Sequence, residues 1–437
     1  MKYKETGVEW LGKVPEDWKV DRLKDNSTIV TGNTPSKKVS ENYENGTIPW
    51  VKPENLRGKF IEDSTEKLTE KGLISARLIP ENSILVGCIG DIGNYAVSKV
   101  PLTTNQQINS VIFDQKKVHF SYGRYIIESS RGEHWKNSTI VVVSILNKSR
   151  QGIIQIPVPP LNEQIAIANY LDKACERIDK IIKLKEEQLL KMEANKQSLI
   201  KEFVTGKKTH KTHNEYVSSN IEWLGDIPKS WKLKRLFNIS HFVRGNSSFK
   251  KDELLEEGKY VALQYGKTYK VEEVNEKFKF FVNDDFYKSS QIVNFGDVIF
   301  VSTSETLEDL GHSVFYNRND IGLIGGEQIL IKPKNTIIDG KYLFYTTKVF
   351  GKELRKFATG LKVFRFDSYD LKNIYVPVPP LNEQRAIAEH LDNSIEKTKK
   401  IKIIIQNQIK TLKIYRKSLI HEYVTGKKLI EKHTNKA

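Results

Sequence analysis

Cysteines, long apolar runs and a leader-like N-terminus are scarce or missing in this sequence, and each shortage excludes a class of protein. The 437 residues include two cysteines, Cys88 and Cys175, too few for a disulfide framework or a zinc ligand set. No stretch reaches the roughly 18 consecutive apolar residues of a membrane span, so we expect no membrane association. The opening MKYKETGVEW lacks the apolar core of a signal peptide, and we therefore expect a cytoplasmic protein.

Sequence signatures of catalysis are also missing. An adenine methyltransferase needs an Asn/Asp-Pro-Pro-aromatic loop, whereas Pro-Pro occurs here only in VPPL, at 158–161 and 378–381. A P-loop is excluded because Val261 stands where the earlier glycine of the GKT run at 266–268 is required. The nine histidines are scattered, so we expect neither a catalytic site nor a metal site.

The charge is strongly positive but unevenly placed. There are 70 Lys and Arg residues against 54 Asp and Glu, a formal charge of +16, which favours a polyanionic partner such as DNA. Residues 172–213 and 392–437 hold +4 and +8 of that excess. The remaining segments are nearly neutral, so any DNA reading there depends on local basic loops.

The chain is an internal repeat. Three separated blocks occur twice: EWLGKVPEDWKVDRL (9–23) and EWLGDIPKSWKLKRL (222–236), IPVPPLNEQIAIANYLD (156–172) and VPVPPLNEQRAIAEHLD (376–392), KQSLIKEFVTGKK (196–208) and RKSLIHEYVTGKK (416–428). The segments between the first and second blocks look different in the two copies. The pattern predicts two copies of one unit, each with a similar opening, a divergent middle and a similar closing segment.

The closing segment of each copy reads as a long helix. No Gly or Pro interrupts Asn162 to Phe203 or Asn382 to Tyr423, about 60 Å of helix in each copy, with Asn162 and Asn382 as expected N-caps. An apolar stripe on so long a helix requires a partner, and the other copy is the obvious one. The residues expected to pair the helices or dock partners are Leu161, Leu171, Ile178, Leu189, Leu199, Phe203, Leu381, Leu391, Ile405, Leu412, Leu419 and Tyr423.

The divergent middles are typical of mixed, mainly β domains. Short β-rich runs lie between Gly, Asn and Pro residues, for example IPWV at 48–51, INSVIF at 108–113, KYVALQY at 259–265 and QILIKP at 328–333. Helical pieces are expected near 120–135 and 341–357. The predicted fold class is α+β: two such domains alternate with two long helices that pair as an antiparallel coiled coil, with pseudo-two-fold symmetry.

This arrangement resembles the DNA-specificity subunit of type I restriction-modification systems. The matching features are the EWLG openings, the TGNTPS run at 31–36, the two PPLNEQ helix starts and the (Phe/Tyr)-Val-Thr-Gly turns. The resemblance covers nearly the whole chain. It implies a target recognition domain at 1–155, a central helix and linker at 156–211, a second recognition domain at 212–375, and a C-terminal helix with a basic tail at 376–437.

The resemblance also implies a function and partners. Each recognition domain reads one half of an asymmetric, bipartite site in double-stranded DNA, and the paired helices set the spacing. The helices dock two modification (adenine methyltransferase) subunits, and restriction/translocase subunits complete the assembly. The chain itself is expected to be non-catalytic and to bind no cofactor, with S-adenosylmethionine on the modification subunits. The alternatives are a stand-alone nuclease or methyltransferase, and a coiled-coil assembly scaffold without DNA readout.

Candidate DNA-binding residues lie in polar loops, because base edges and phosphates are contacted by Arg, Lys, Asn, Gln, Ser and Thr. For each candidate the alternative is a turn or a structural hydrogen-bond cluster. For the amide-rich run at 105–107 that alternative is as strong as DNA contact, because we expect Gln328 to occupy the equivalent place in the second copy. In the first domain the candidates are Thr31, Asn33, Thr34, Ser36, Lys37, Lys38, Trp50, Lys52, Asn105 and Gln106.

The second domain offers a corresponding set. Its loop at 244–251 matches TGNTPSKK, a polar and aromatic group follows a β-rich run at 264–267, and a hydroxyl-rich run lies at 302–304. Four cations bracket Thr359-Gly360 and are expected to contact phosphates. The candidates are Arg244, Asn246, Ser247, Lys250, Lys251, Gln264, Tyr265, Lys267, Ser302, Thr303, Ser304, Arg355, Lys356, Lys362 and Arg365.

Overall fold

A computed structural model gives the fold. It describes residues 2–58, 60–140, 142–208, 215–360 and 362–430. Part of the predicted linker and the end of the basic tail lie outside these residues. The chain divides into two units. Unit 1 contains Met1–Glu186 and Gln406–Ala437, and unit 2 contains Glu187–Ile405.

The copy that opens the chain supplies most of unit 1. Its helices are α1 Glu70–Ile74, α2 Phe120–Ser129, α3 Arg131–Lys136, α4 Lys148–Gly152 and α5 Leu161–Val204, with 3-10 turns at Leu23–Asp25, Ser40–Asn42 and Pro53–Asn55. Its strands are β1 Tyr3–Glu5, β2 Lys13–Pro15, β3 Lys19–Arg22, β4 Ser27–Thr31, β5 Ile48–Val51, β6 Phe60–Ile61, β7 Lys67–Leu68, β8 Ile84–Gly87, β9 Tyr95–Ser98, β10 Thr103–Thr104, β11 Ile108–Phe113, β12 Thr139–Ile140, β13 Ser144–Ile145 and β14 Gln155–Val158.

The second copy supplies most of unit 2. Its helices are α6 Leu236–Ile239, α7 Tyr265–Thr268, α8 Gly340–Phe350, α9 Ser368–Lys372 and α10 Leu381–Val424, with 3-10 turns at Lys251–Glu253, Asp284–Phe286, Ser289–Gln291 and Glu353–Phe357. Its strands are β15 Tyr216–Ser218, β16 Asp226–Pro228, β17 Lys232–Arg235, β18 Ser240–Arg244, β19 Tyr260–Leu263, β20 Glu273–Val274, β21 Phe281–Val282, β22 Ile292–Val293, β23 Val298–Val301, β24 Thr303–Ser304, β25 Ser313–Tyr316, β26 Gly322–Ile324, β27 Gln328–Pro333, β28 Phe364–Arg365 and β29 Tyr375–Val378.

The two middles share the strand order of their five-stranded sheets although their sequences look different, and they differ in a second sheet of three strands in unit 1 and four in unit 2. Unit 1 has a five-stranded sheet in the order β4-β11-β8-β9-β6, and unit 2 has one in the order β18-β27-β23-β25-β20. The registers agree, since Asn109 pairs with Thr31 in one sheet and Ile329 pairs with Arg244 in the other. The predicted mixed, mainly β fold is therefore confirmed for both domains, and both are built on the same scaffold.

The long helices are confirmed, but their starts differ from the prediction. Each has 44 residues and begins one residue before the asparagine expected to cap it. In α5 the Pro160 carbonyl accepts hydrogen bonds from the backbone N–H groups of Glu163 (2.9 Å) and Gln164 (3.0 Å). Asn162 and Asn382 therefore lie inside the first turn, and Pro160 and Pro380 are the N-cap residues.

The helices run antiparallel within each unit. In unit 1, Arg416 of α10 forms an ion pair with Asp179 of α5 (3.1 Å), and Lys413 pairs with Glu186 (3.2 Å). In unit 2, Lys402 approaches Glu193 (3.9 Å). Residue numbers fall along one helix as they rise along the other, as expected for an antiparallel pair.

The predicted pairing residues differ in burial. Seven are buried: Leu171, Ile178, Phe203, Leu391, Ile405, Leu419 and Tyr423. Leu189, Leu199, Leu381 and Leu412 are half-buried, and Leu161 is exposed. Among the described residues, no helix is long and apolar enough to cross a membrane.

A repeated polar joint, missed by the sequence reasoning, fixes each domain to the helices. The buried Tyr122 hydroxyl donates to the Val424 carbonyl of α10 at 3.1 Å, and the buried Tyr342 hydroxyl donates to the Val204 carbonyl of α5 at 3.4 Å. Gln164, at the start of α5, accepts from the His119 backbone N–H (2.9 Å). Its counterpart Gln384 accepts from the backbone N–H of Asp339 (2.7 Å) in the same way. Tyr122 and Tyr342 are separated by 220 residues, as are Gln164 and Gln384. This is the offset of the closing repeats, and it was the signal available in the sequence.

Candidate nucleic-acid interface

Three loops meet at one edge of the unit 1 sheet. Strands β4 and β8 end there and β11 begins there, because both neighbours of β11 are antiparallel to it. The Asn33 N–H donates to the Thr104 carbonyl (2.9 Å), and the Cys88 N–H donates to the Gln107 carbonyl (2.9 Å). We call the loops 32–39, 88–94 and 105–107 the first edge.

A glycine permits this close approach. A Cβ atom on Gly32 would lie 2.2 Å from Oγ1 of Thr104 and 2.3 Å from the carbonyl oxygen of Asn105. Both distances are far below van der Waals contact, so a side chain at this position would push the loops apart. The glycine in the TGNTPS run is therefore a structural requirement of the edge.

Several first-domain candidates come together on this edge. The Thr34 hydroxyl donates to Oε1 of Gln106, and the Asn33 amide donates to the Ser75 carbonyl (2.6 Å). The Thr31 hydroxyl donates to Oδ1 of Asn109 (2.8 Å). The exposed candidates are Asn33, Ser36, Lys37, Lys38 and Gln106.

Trp50 and Asn105 are buried instead. Trp50 is 2% exposed, and its indole N–H donates to the Asn33 carbonyl (3.2 Å). The Asn105 amide donates to Oε1 of Gln107 (3.0 Å). Both side chains hold the edge together and offer DNA little surface, so the structural alternative describes them better.

An acidic residue that the sequence reasoning missed organises the lysines of this edge. Glu66 forms ion pairs with both Lys37 (3.2 Å) and Lys52. The two ammonium groups lie 5.6 and 5.1 Å from the centroid of the Trp50 ring. Glu66 therefore balances part of the positive charge and orients it, and no motif in the sequence marks this role.

Unit 2 has an equivalent edge, formed by the loops 245–251, 302–312 and 325–327, which we call the second edge. A Cβ atom on Gly245 would lie 1.8 Å from the Gly325 carbonyl oxygen, so glycine is required here as well. The Gly326 N–H donates to the Ser247 carbonyl (2.8 Å). Arg244, Asn246, Lys250 and Lys251 are exposed, whereas Ser247 is buried.

The register corrects the suggested equivalence of Gln328 with the amide-rich run. Gln328 pairs with Val301, and Ile108 pairs with Gly87 at the corresponding place. Gln328 therefore matches Ile108, and the segment 325–327 matches 105–107. The two edges carry different residues at this corner, Gly-Gly-Glu in one and Asn-Gln-Gln in the other.

The hydroxyl-rich run is buried and positions a glutamate. Ser302, Thr303 and Ser304 are 8%, 8% and 4% exposed. The Ser302 hydroxyl donates to the Glu327 carbonyl (3.2 Å), and the Thr303 hydroxyl donates to the Glu327 carboxylate. Glu327 is exposed and has a φ of 62°, a left-handed conformation that non-glycine residues rarely adopt. The run at 302–304 therefore supports the second edge by holding Glu327. The sequence reasoning missed this glutamate.

The candidates at 264–267 lie half-buried beside the same edge. The Gln264 amide donates to the Phe249 carbonyl (2.8 Å), and the Lys267 ammonium lies 4.4 Å from the centroid of the Phe280 ring. Burial, with the nearby Glu305 carboxylate, raises the pKa of Tyr265. Tyr265 is thus held as a neutral hydrogen-bond donor.

The four predicted phosphate contacts separate into two kinds. Arg355 donates to the Glu308 carbonyl, and Lys356 forms ion pairs with Glu353 (2.6 Å) and Glu222 (3.3 Å). Lys362 and Arg365 are exposed, and the strand β28 that contains Arg365 pairs with β24 at the second edge. Only the latter two lie on the edge with their charge facing solvent.

Comparison with known proteins identifies the family. The family model described as "Type I restriction modification DNA specificity domain" matches residues 15–192 and 228–411. The chain belongs to this family. Its two matched segments correspond to the two repeat copies.

Specificity subunits of this family also match, some over nearly the full length and others over part of it. The type I restriction enzyme MjaIX specificity subunit of Methanocaldococcus jannaschii is 27% identical, covering 98% of this chain and 97% of the relative. The EcoR124I/EcoR124II specificity subunit of Escherichia coli is 31% identical over 40% of this chain and 42% of the relative. The predicted role as a DNA sequence-specificity subunit is thereby confirmed, against the scaffold alternative.

Solved structures show the same fold. One, titled "Structural basis underlying complex assembly and conformational transition of the type I R-M system", has a TM-score of 0.74 at 16% identity, covering 94% of this chain and 98% of that one. The HsdS subunit from Thermoanaerobacter tengcongensis has a TM-score of 0.55 at 16% identity, with the same coverage. As a specificity subunit, the chain is one component of a restriction-modification complex that acts on DNA.

Proposed function

We propose that this specificity subunit is non-catalytic and that each unit reads one half of an asymmetric, bipartite DNA site. One observation carries the proposal: the two sheets have the same strand order, yet their equivalent edges differ at the corner, with Asn-Gln-Gln at 105–107 and Gly-Gly-Glu at 325–327. The cations Lys37 and Lys38 recur as Lys250 and Lys251, as expected for phosphate contacts that carry no sequence information. A shared scaffold with partly different edges suits two readers of two different sequences.

The exposed side chains of the edges are proposed to make the DNA contacts. In unit 1 the amides of Asn33 and Gln106 are suited to base edges, and Lys37 and Lys38 to phosphates. In unit 2 the proposed contacts are Arg244, Asn246, Lys250, Lys251, Lys362 and Arg365. Because the domains are nearly neutral overall, the partner subunits supply much of the remaining phosphate binding.

The paired helices are proposed to set the half-site spacing and to dock two modification subunits, adenine methyltransferases that bind S-adenosylmethionine. Restriction/translocase subunits complete the proposed assembly. Support comes from large apolar side chains that remain exposed on the paired helices. They include Ile181, Leu184, Ile414 and Tyr415 in unit 1, and Leu190, Ile401, Ile403 and Ile404 in unit 2. Apolar surface of this extent on a helix pair favours protein partners over solvent.

Mapping adenine methylation tests the proposal. The chain is expressed with its modification subunits, and the methylated motif is read from genomic DNA. We expect two different half-sites separated by a fixed gap. A single continuous motif, or a palindromic one, would contradict the proposal.

Single substitutions assign the half-sites. Lys37→Ala is expected to weaken methylation through the half-site read by unit 1, and Lys251→Ala through the other. Lys99 follows β9 and Lys334 follows β27, each at the end of its sheet that lies away from the edge, so they serve as matched control positions. Their alanine variants are expected to leave the motif and its occupancy unchanged. Equal weakening by all four substitutions would indicate a general charge effect in place of half-site reading.

A further inference from the structure

A short hairpin in unit 1 presents an unusually exposed apolar tip. It is formed by β12 and β13, which pair antiparallel. Val142 is 93% exposed, Val143 is 47% exposed and Ile145 is 40% exposed. Adjacent apolar side chains held out into solvent on a tight hairpin suggest a contact surface.

Backbone hydrogen bonds join this hairpin to the first edge. The Gly90 N–H donates to the Ser144 carbonyl (3.0 Å), and the Leu146 N–H donates to the Cys88 carbonyl (2.8 Å). On its other side, the Cys88 N–H donates to the Gln107 carbonyl (2.9 Å). The hairpin therefore continues the surface that contains the candidate reading amides.

Unit 2 has the equivalent hairpin with cations at two of the apolar positions. Thr359 and Arg365 close it with reciprocal backbone hydrogen bonds of 2.8 and 2.9 Å, and β28 attaches it to the second edge. At the 220-residue offset, Lys362 corresponds to Val142 and Arg365 to Ile145. The unit 2 hairpin thus presents two cations where unit 1 has Val142 and Ile145, while Val363 keeps the valine of position 143.

Aliphatic and cationic tips suit different parts of DNA. Phosphates are bound by cations and gain nothing from valine, whereas the C5-methyl group of thymine is the one apolar group that a base presents in the major groove. That groove is about 12 Å wide and accepts a two-stranded β-ribbon. Lys37 and Lys38 on the same edge are placed to bind the phosphates beside it.

Building on the proposed half-site reading, we infer that the hairpin of β12 and β13 enters the major groove and that Val142, with Val143 beside it, contacts thymine methyl groups. The half-site of unit 1 then contains at least one thymine that is read through its methyl group. The half-site of unit 2 is not read in this way, because Lys362 and Arg365 stand where unit 1 has Val142 and Ile145.

Uracil substitution tests this inference directly, since deoxyuridine differs from thymidine only by that methyl group. The intact complex with its modification subunits is titrated with the mapped target and with targets carrying one deoxyuridine at each thymine. We expect a loss of about four-fold in affinity at one or two positions of the unit 1 half-site, the value of one buried methyl group. No such loss is expected in the other half-site.

Paired variants then assign the effect to the hairpin. The double variant Val142→Ala, Val143→Ala is expected to bind the thymine and uracil targets equally. The matched variant Lys362→Ala is expected to weaken both targets together and to leave their ratio at the wild-type value. Because all three side chains are solvent-exposed, the variants should fold, and circular dichroism checks this.

Three results would overturn the inference. One is the absence of any uracil-sensitive position in the unit 1 half-site, and another is a thymine preference that persists in the double alanine variant. A third is a double variant that binds DNA normally but loses a modification subunit, which would make the hairpin a protein-docking element. Failure of the proposed function would be distinct, because the wild-type complex would then not prefer a bipartite target over a scrambled one.

Discussion

The two units of the molecule agree in their scaffold and differ at their edges. Both have the same five-strand order, and both fix the domain to the helices through a buried tyrosine, Tyr122 or Tyr342. The corners 105–107 and 325–327 nevertheless share no residue type in register, and Lys362 and Arg365 replace Val142 and Ile145 of the first hairpin. The comparison teaches that backbone geometry is held by a few repeated residues, which leaves the edge side chains free to differ.

The units also differ in some of their buried and partly buried side chains. Arg416 of unit 1 lies between Glu128 and Asp179, partly buried, and at the 220-residue offset it corresponds to Lys196. His134 is fully buried in unit 1, where Leu354 is the counterpart in unit 2. These positions distinguish the buried interior of unit 1 from that of unit 2.

The largest effect is expected from the glycines that bring the loops together. Gly32→Ala and Gly245→Ala each place a methyl group within about 2.3 Å of backbone oxygen. Each should destabilise its own unit by about 3 kcal/mol, because the backbone must move. Hydrogen exchange should show β4 and β11 opening in the first variant, and β18 and β27 in the second. Gly132→Ala is the control, since nothing lies within 4 Å and alanine favours the helix.

A smaller, one-sided effect is expected from Arg416→Gln. The change leaves the Glu128 carboxylate, which is about four-fifths buried, without its cationic partner, which should cost about 2–3 kcal/mol. Lys413→Gln removes an exposed ion pair with Glu186 and should change stability little. Urea unfolding compares the two variants. An equally small effect from both would show that the Arg416 network does not distinguish the units.

Low pH should lower the stability of unit 1, because the buried His134 is neutral in the folded state and gains a proton on unfolding. Burial lowers the pKa of this histidine from 6.5 to about 4. Its contribution to stability is therefore complete above pH 6.5 and is lost as the pH falls from 6.5 towards 4, by up to about 3 kcal/mol. His134→Leu, which copies Leu354, should flatten the pH dependence of unfolding over that range. An unchanged pH profile would contradict this assignment.

The smallest effects should be equal in the two units. Tyr122→Phe and Tyr342→Phe each remove one buried hydroxyl that bonds a backbone carbonyl, and each should cost about 1 kcal/mol. Tyr369→Phe, at a position 72% exposed, should have no effect. Thermal unfolding measures all three. Clearly unequal costs for the first two would show that the joints are not equivalent.

Much of the fold was predictable because it repeats. The 213- and 220-residue offsets predicted two units and two long helices, and the β-rich runs marked strands such as β5 and β11. The predicted N-caps were wrong by two residues, because the first helical hydrogen bonds are accepted by the carbonyls of Pro160 and Pro380. The common strand order was not foreseen, since it depends on register, which the divergent side chains conceal.

The candidate site was predictable only in part. Polar loops such as TGNTPS were found because glycine and hydroxyl residues are visible in a sequence. The burial of Trp50 and of the run at 302–304 was not visible, because it depends on which loops pack above them. Glu66 and Glu327 were missed for the same reason, since their partners lie 14 to 29 residues away in one case and 24 to 25 in the other.

Exchanging the edges tests the central claim most directly. Replacing residues 237–375 with residues 24–155 gives both units the scaffold and loops of the first domain. Methylation is then mapped in cells that carry the modification subunits. The account predicts a motif made of two copies of the unit 1 half-site. A motif that still contains the second half-site, or a loss of methylation while the chain still assembles with its modification subunits, would contradict it.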